Sequence, residues 1–334
     1  MFNMQSVARS DGRGGPENLR HMAWVTGGCL LVFALPFILE TYWLYLVGVT
    51  AVYAIAGLGL VILFGFTGQL SLAHASFFGI GAYVSAIGGV HYGLPGIVTL
   101  PIAFAICLGA GAFVGIFALR ISGLRFALIT LSFGELFYWA SVRWSDVTGG
   151  EQGLYAEPLS VMGIDFGDPI NAYFLFAALG LLATALCFRL RDSSFGRAMA
   201  ATRDSELAAR SSGVSVARTR YIAFVIGALF SGVAGWLFSG HVGAISPNFF
   251  DMFASLNMLV AVIIGGVKTP LGAWVGAAYL VFVPELFGMA GVSNLYPILS
   301  GALLVLIVLV LPVGIVPALQ QALRHLGTSR GDKQ

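Results

Sequence analysis

From Thr41 to Leu119 the chain carries not one Asp, Glu, Lys or Arg. A helix crosses the hydrocarbon layer of a bilayer in about 20 apolar residues. The run therefore holds three crossings, with turns expected near Gly65 to Gly68 and at His91 to Pro95. The rest of the 334-residue chain agrees: 58% of it is hydrophobic and 10% charged, where a soluble domain carries about a quarter charged residues. This is the composition of a polytopic membrane protein. Its net charge of +2 says nothing about nucleic acid, because the charges follow topology.

Ten spans are expected, at roughly 22–39, 43–64, 70–90, 96–119, 126–143, 172–188, 221–240, 253–267, 271–289 and 295–317. The number falls to eight or nine if the short 253–267 and glycine-rich 271–289 segments re-enter instead of crossing. The first 20 residues are polar, and the apolar run after them lacks a small-residue cleavage site, so it reads as a retained span. With the N-terminus in the cytoplasm, Arg120, Arg125, the Arg189 to Arg220 block, Lys268 and the tail bases Arg324, Arg330 and Lys333 all fall inside. The Ser145 to Asn171 stretch falls outside and carries five acids and no base. Positive charge marks the cytoplasmic side; only Arg143 disagrees. Both termini are placed in the cytoplasm. The expected divisions are a tail at 1–20, a membrane domain at 21–320 and a second tail at 321–334. Within the membrane domain, 144–171 is an outer loop and 189–220 an inner one.

Seven of the 17 basic residues lie between Arg189 and Arg220. Topology needs only two or three. Within the block, Gly196 to Ala201 and Ser205 to Arg210 read as short helices, with Ser194 and Asp204 as caps and Gly213 as a left-handed terminator. A short helix seated in a partner's groove passes rigid-body motion to the spans beside it, so the block reads as a dock for a cytoplasmic protein.

Ser193, Gly196, Arg197, Ala198, Arg203, Ala208, Ala209, Gly213 and Val214 make this block resemble the coupling loop of branched-chain amino acid ABC transporter permeases of the LivM type. The resemblance continues through GFTGQLSLAHASFFGIGAY (65–83), LITLSFGELF (128–137), TGGEQGL (148–154), ISPNFF (245–250), IIGGVKTPLG (263–272) and VPELF (283–287). It covers nearly all of 41–317. The chain departs from the family's usual residues at Ala73, where glycine is common, and at Val267 and Lys268, where leucine is. The resemblance implies an all-α bundle like the type II ABC importers. It also implies a second, LivH-like permease, two ATP-binding subunits and a periplasmic substrate-binding protein. Contact with the ATPase would fall on Gly196, Arg197, Ala198, Arg203, Glu206, Ala209 and Gly213. Branched-chain amino acids are the implied cargo, with urea and amides as related solutes.

No catalytic chemistry is visible. IIGGVKTP is not a phosphate loop, because Val267 separates Gly266 from Lys268 and the motif requires Gly-Lys in sequence. Cys29, Cys107 and Cys187 have no metal-ligand spacing and read as small core residues. No cofactor or metal is expected, and ATP hydrolysis is expected on another chain. Four intramembrane polar residues are candidates for the substrate pathway: Gln69, Ser71, His74 and Glu135. His74 reads either as a hydrogen-bond tie between helices or as a substrate contact, and Glu135 either as glue or as pathway lining. The alternative function is an ion- or proton-coupled carrier working alone, but a relay needs more than two deep titratable groups.

Overall fold

Runs of apolar residues punctuated by glycine, proline and capping side chains set the helices of the computed structural model. It describes residues 35–161, 164–289, 291, 301–302, 305–306, 309–311 and 313–328. The chain divides into two units after Trp43. Of the first, the described part is a helical turn at 35–38 and the start of one long helix. That helix, α1 (Thr41–Leu60), continues as a π-helix, Val61–Phe66. The others are α2 (His74–Tyr92), α3 (Gly96–Ala118), α4 (Leu124–Arg143), α5 (Pro169–Asp192), α6 (Ser194–Asp204), α7 (Glu206–Ser211), α8 (Val216–Val242), α9 (Met252–Gly265), α10 (Pro270–Met289) and α11 (Ile315–Thr328).

The expected spans from 43 to 289 correspond to these helices, with one departure. The third was expected from residue 70, but α2 starts at His74, and Gly68 to Ala73 is irregular. The expected spans 22–39 and 295–317 lie largely outside the described residues. α11 crosses the expected start of the tail at 321. Among the described residues, five stretches are long and apolar enough to cross a bilayer by length and composition: 41–66, α3, α5, α8 and α10. α4 is less apolar because it carries Arg125, Glu135 and Arg143, and α9 has only 14 residues.

Burial divides the helices into two classes. α1 and α8 are mostly enclosed by the rest of the chain, whereas α3, α5 and α10 expose most of their apolar surface. α8 packs along α2 and α3. Its contact with α2 is backbone on backbone: a Cβ at Gly81 would fall 1.9 Å from the Gly232 carbonyl oxygen, and one at Gly235 would fall 1.7 Å from that of Phe78. In lipid, where burial of apolar surface gives no drive between helices, such close approach is a main source of association. Gly111 shares in this packing against Ala228, but Gly109, from the same small-residue series, meets nothing. Cys107 and Cys187 are buried thiols, as expected of core residues.

Two sets of contacts sort the loops into opposite ends. The strand β1 (Leu154–Tyr155) pairs antiparallel with β4 (Ala244–Ile245), tying the acidic loop to the turn after α8. A second small pair, β2 (Ser160–Val161) with β3 (Ile164–Asp165), completes the acidic loop. At the other end, Arg203 of α6 reaches Gly65, and Gly65 abuts the 266–269 turn.

Candidate functional site

Irregular backbone at membrane depth survives only where protein satisfies its polar groups. The stretch from Val61 to His74 meets that demand largely through bonds from other helices. A π-helix is rare and is found mainly at functional sites. Here it spans Val61–Phe66, and just beyond it Gly68, with φ +70°, lets the Gln69 N–H turn back to the Leu63 carbonyl. The Leu72 N–H donates to Thr130 Oγ1 of α4 at 3.0 Å, and the Ala75 N–H to Ser255 Oγ of α9 at 3.0 Å. His74 Nε2 donates to the Ala56 carbonyl of α1 at 2.8 Å, while Ser231 of α8 donates to the His74 carbonyl at 2.8 Å. Four helices thus close around one break. Gln69 is the exception: it is 3% exposed, and neither amide atom has a partner among the described residues.

Ser255→Ala should cost about 1–3 kcal/mol, the penalty for leaving the buried Ala75 N–H unsatisfied. Ser132→Ala, at an exposed serine that bonds only its own helix, should stay within about 0.5 kcal/mol. Unfolding of both variants in detergent would check the difference.

At the N-terminal end of α9 lies a polar cavity of about 350 Å³, lined by Tyr53, Asn248, Asp251, Phe253 and Asn257 among others. Asp251 caps α9 by accepting from the Ala254 N–H at 2.7 Å, and Asn248 accepts from the Tyr138 hydroxyl of α4 at 3.1 Å. Below it, a remnant of about 10 Å³ shares Tyr53, Met258 and Leu280 and is edged by Gly57 and Ala273. That is room for one water at most. Glu135 stands one helical turn from Tyr138 on the same face of α4. It is exposed, with no hydrogen bond or ion pair among the described residues.

The hairpin α6–α7 sits at the other end. Ser193 and Ser205 cap its helices, accepting from the Gly196 and Ala208 N–H groups at 3.1 and 3.3 Å. The expected caps, Ser194 and Asp204, are instead one residue off: Ser194 is the first residue of α6 and Asp204 its last. Gly213 adopts φ +81°, and the bonds Gly213 N–H to Arg210 and Val214 N–H to Ala209 close α7 in a Schellman turn. Glu206 accepts from Arg210 at 2.5 Å and from Arg220 of α8 at 2.9 Å, pinning the hairpin to the next span. Leu207 beside it is 82% exposed. Arg203 Nη1 donates to the Gly65 carbonyl at 2.7 Å, placing a cation at the negative end of the π-helix.

The Glu206 carboxyl lies below its ordinary 4.5, held there first by the Arg220 hydrogen bond, partly offset by burial, and then by the charges of Arg220 and Arg210. A depressed carboxylate contributes anchoring that is complete above its ordinary value and is lost as pH falls through the depressed one. A spin label at Leu207→Cys should keep constant mobility from neutral pH down to the ordinary Glu value of 4.5 and loosen only as pH falls below it. Glu206→Gln should be loose throughout.

Residues 42–308 match the family described as the permease component of the branched-chain amino acid transport system. The chain belongs to that family. This permease is 31% identical over 91% of its length to the high-affinity branched-chain amino acid transport system permease protein LivM of Escherichia coli (strain K12), spanning 77% of that protein. It is 27% identical over 80% of its length to the LivH permease of the same system and organism, spanning 92% of that protein. The autoinducer 2 import system permease protein LsrC of Enterobacter sp. (strain 638) matches at 27% over 70% of the chain and 69% of that protein. No solved structure matches.

Of the permease's four pathway candidates, the structure gathers Gln69, Ser71 and His74 in the break. Ser71 and His74 have bonds there, Ser71 weakly to the Ala73 N–H at 3.4 Å. Glu135 stands apart on the exposed face of α4. Among the coupling candidates, Arg203 and Glu206 bind neighbouring spans, and Arg197 donates to the Asp192 carbonyl at 3.2 Å. Gly196 and Ala209 are buried, Gly196 with the Leu190 and Arg191 carbonyls too near for a Cβ, and Ala198 is half-buried. Sequence reasoning missed Thr130, Ser231 and Ser255, although each is a hydroxyl in a largely apolar run. It also missed the cavity residues Tyr53, Asn248 and Asn257.

Proposed function

We propose that this permease is one transmembrane subunit of an ATP-driven importer in the bacterial inner membrane, with both termini cytoplasmic. It moves branched-chain amino acids, or small relatives such as urea and amides, from periplasm to cytoplasm by alternating access. A LivH-like permease completes the pathway, two ATP-binding subunits dock on α6–α7, and a periplasmic binding protein delivers cargo to the acidic 144–168 loop. The observation that carries this reading is the capped hairpin α6–α7, which offers Leu207 outward while Arg203 holds the end of the π-helix. A push on the hairpin then bears directly on the broken helix between the cavity and the cytoplasm.

In this reading the polar cavity is the outer vestibule, its closed remnant is the gate, and Gln69 faces the inner end of the path. Glu135 meets the second permease or the pathway between the two. Glu135→Gln should assemble normally and lower uptake about tenfold, the effect of one charge-assisted contact. Normal uptake would return Glu135 to an idle surface position.

The deciding experiment is a gentle-detergent pull-down of the tagged chain with mass spectrometry of what accompanies it, followed by uptake in liposomes. A second permease and ATP-binding subunits, with uptake that needs ATP, are the expected result. A chain recovered alone that imports without ATP would make it an ion- or proton-coupled carrier and end the proposal.

A further inference from the structure

An apolar groove of about 210 Å³ runs between α3, α5, α8 and the Ile55 side of α1. Its walls include Phe104, Leu182, Leu186, Ile226 and Leu229, with Ala183 at its floor. Among the described residues, no charged side chain lines it.

Following the walls toward the hairpin end leads to two arginines. On α5, Leu182, Leu186 and Arg189 are spaced four and three apart, so Arg189 continues the same face. On α8, Arg218 lies eight residues before Ile226 and eleven before Leu229, again a continuation of one face. α5 ends at Asp192 and α8 begins at Val216, so both arginines sit at the end where α6–α7 joins these helices. Both are exposed. The nearby carboxylates are already engaged: Asp192 with Arg191, Asp204 with Arg203, and Glu206 with Arg210 and Arg220. Among the described residues, neither Arg189 nor Arg218 meets a carboxylate. Arg218 is also in the first turn of α8, where the helix dipole already favours negative charge, so no partner from the helix itself offsets it.

We infer that this groove binds an anionic phospholipid of the inner leaflet, one acyl chain along Leu182, Leu186 and Leu229 and the phosphate between Arg189 and Arg218. Basic positions between transmembrane helices at the cytoplasmic face are where such headgroups bind, each base worth a few-fold in affinity near an anionic surface. A zwitterionic lipid would fill the groove equally well but would gain nothing from the arginines. The leaflet assignment rests on the proposed topology, whereas the binding itself does not depend on transport.

The test is native mass spectrometry of the full-length chain, with whatever subunits accompany it, after exchange into detergent containing phosphatidylglycerol or phosphatidylcholine of identical chains. The expected result is retained phosphatidylglycerol at roughly tenfold or more above phosphatidylcholine, with that excess lost in Arg189→Gln/Arg218→Gln. Ala183→Phe, which fills the groove, should reduce retention of both lipids. Should that variant fail to fold, the surface double variant decides alone. Equal retention of the two lipids, or an excess that survives loss of both arginines, overturns the proposal. So does oxidative cross-linking of a cysteine at Leu182 to Cys29, which would show that the 22–39 stretch of this chain covers the groove. Absence of ATP-dependent uptake by the unaltered chain with its accompanying subunits, with lipid retention intact, would count against the importer reading and leave the lipid site standing.

Discussion

Arg203→Ala should insert and assemble normally yet import at least about tenfold less solute per ATP hydrolysed, while basal hydrolysis by the partner persists. The substitution removes a charge-assisted bond to the Gly65 carbonyl and an exposed ion pair to the adjacent Asp204, while Glu206 still binds Arg220 and ties the hairpin to α8. Hydrogen bonds to charged groups contribute about 1.5–3 kcal/mol, which is ten- to a hundredfold in the population that moves as one body. Arg203→Lys should recover part of the ratio, because an ammonium keeps the charge but lacks the guanidinium's reach to Asp204 and Gly65 together. Transport and hydrolysis measured side by side in liposomes provide the readout. An unchanged ratio would remove Arg203 from the coupling route.

Gly65→Ala should do more damage, and to folding as well as transport. The added Cβ would lie 1.8 Å from the Val267 carbonyl oxygen and 2.9 Å from its carbon, both backbone atoms that cannot rotate away. Overpacking of this kind costs about 1–3 kcal/mol when side chains can adjust, and more where only backbone can move. The same residue's carbonyl receives Arg203, so the strain falls where hairpin, π-helix and 266–269 turn meet. Gly109→Ala is the internal control: a Cβ there meets nothing within 4 Å, and alanine favours helix by about 1 kcal/mol. Thermal unfolding in detergent should separate the two by many degrees. Equal stability would mean that the π-helix and the turn can part without cost.

The helices between 41 and 289 were legible because uncharged runs and their punctuation are local. Ser193 and Ser194, like Asp204 and Ser205, are adjacent residues of equal capping ability, and only the backbone turn selects between them, so both caps were misplaced by one. The break was half visible: Gln69, Ser71 and His74 announced something polar, but the irregular Gly68 to Ala73 stretch has no local signature stronger than Gly68. Its stabilisers are remote. Thr130, Ser231 and Ser255 come from three other helices, and Arg203 contacts Gly65 across 138 positions of sequence. The glycines of IIGGVKTPLG read superficially as a phosphate cradle. They instead let backbones meet, for a Cβ at Gly265 would fall 1.8 Å from the Gly272 carbonyl oxygen.

The π segment also alters how α1 should be counted. Each α-helical residue turns the chain by about 100° and advances it about 1.5 Å, and a π bulge accommodates one residue beyond that pattern. A mutational scan that carries the Tyr53 face inward by threes and fours will therefore slip out of phase beyond Val61. Residues chosen to follow the cavity side would face a neighbouring helix, and those chosen as controls would fall on the cavity side. The scan has to restart its count at Gly65.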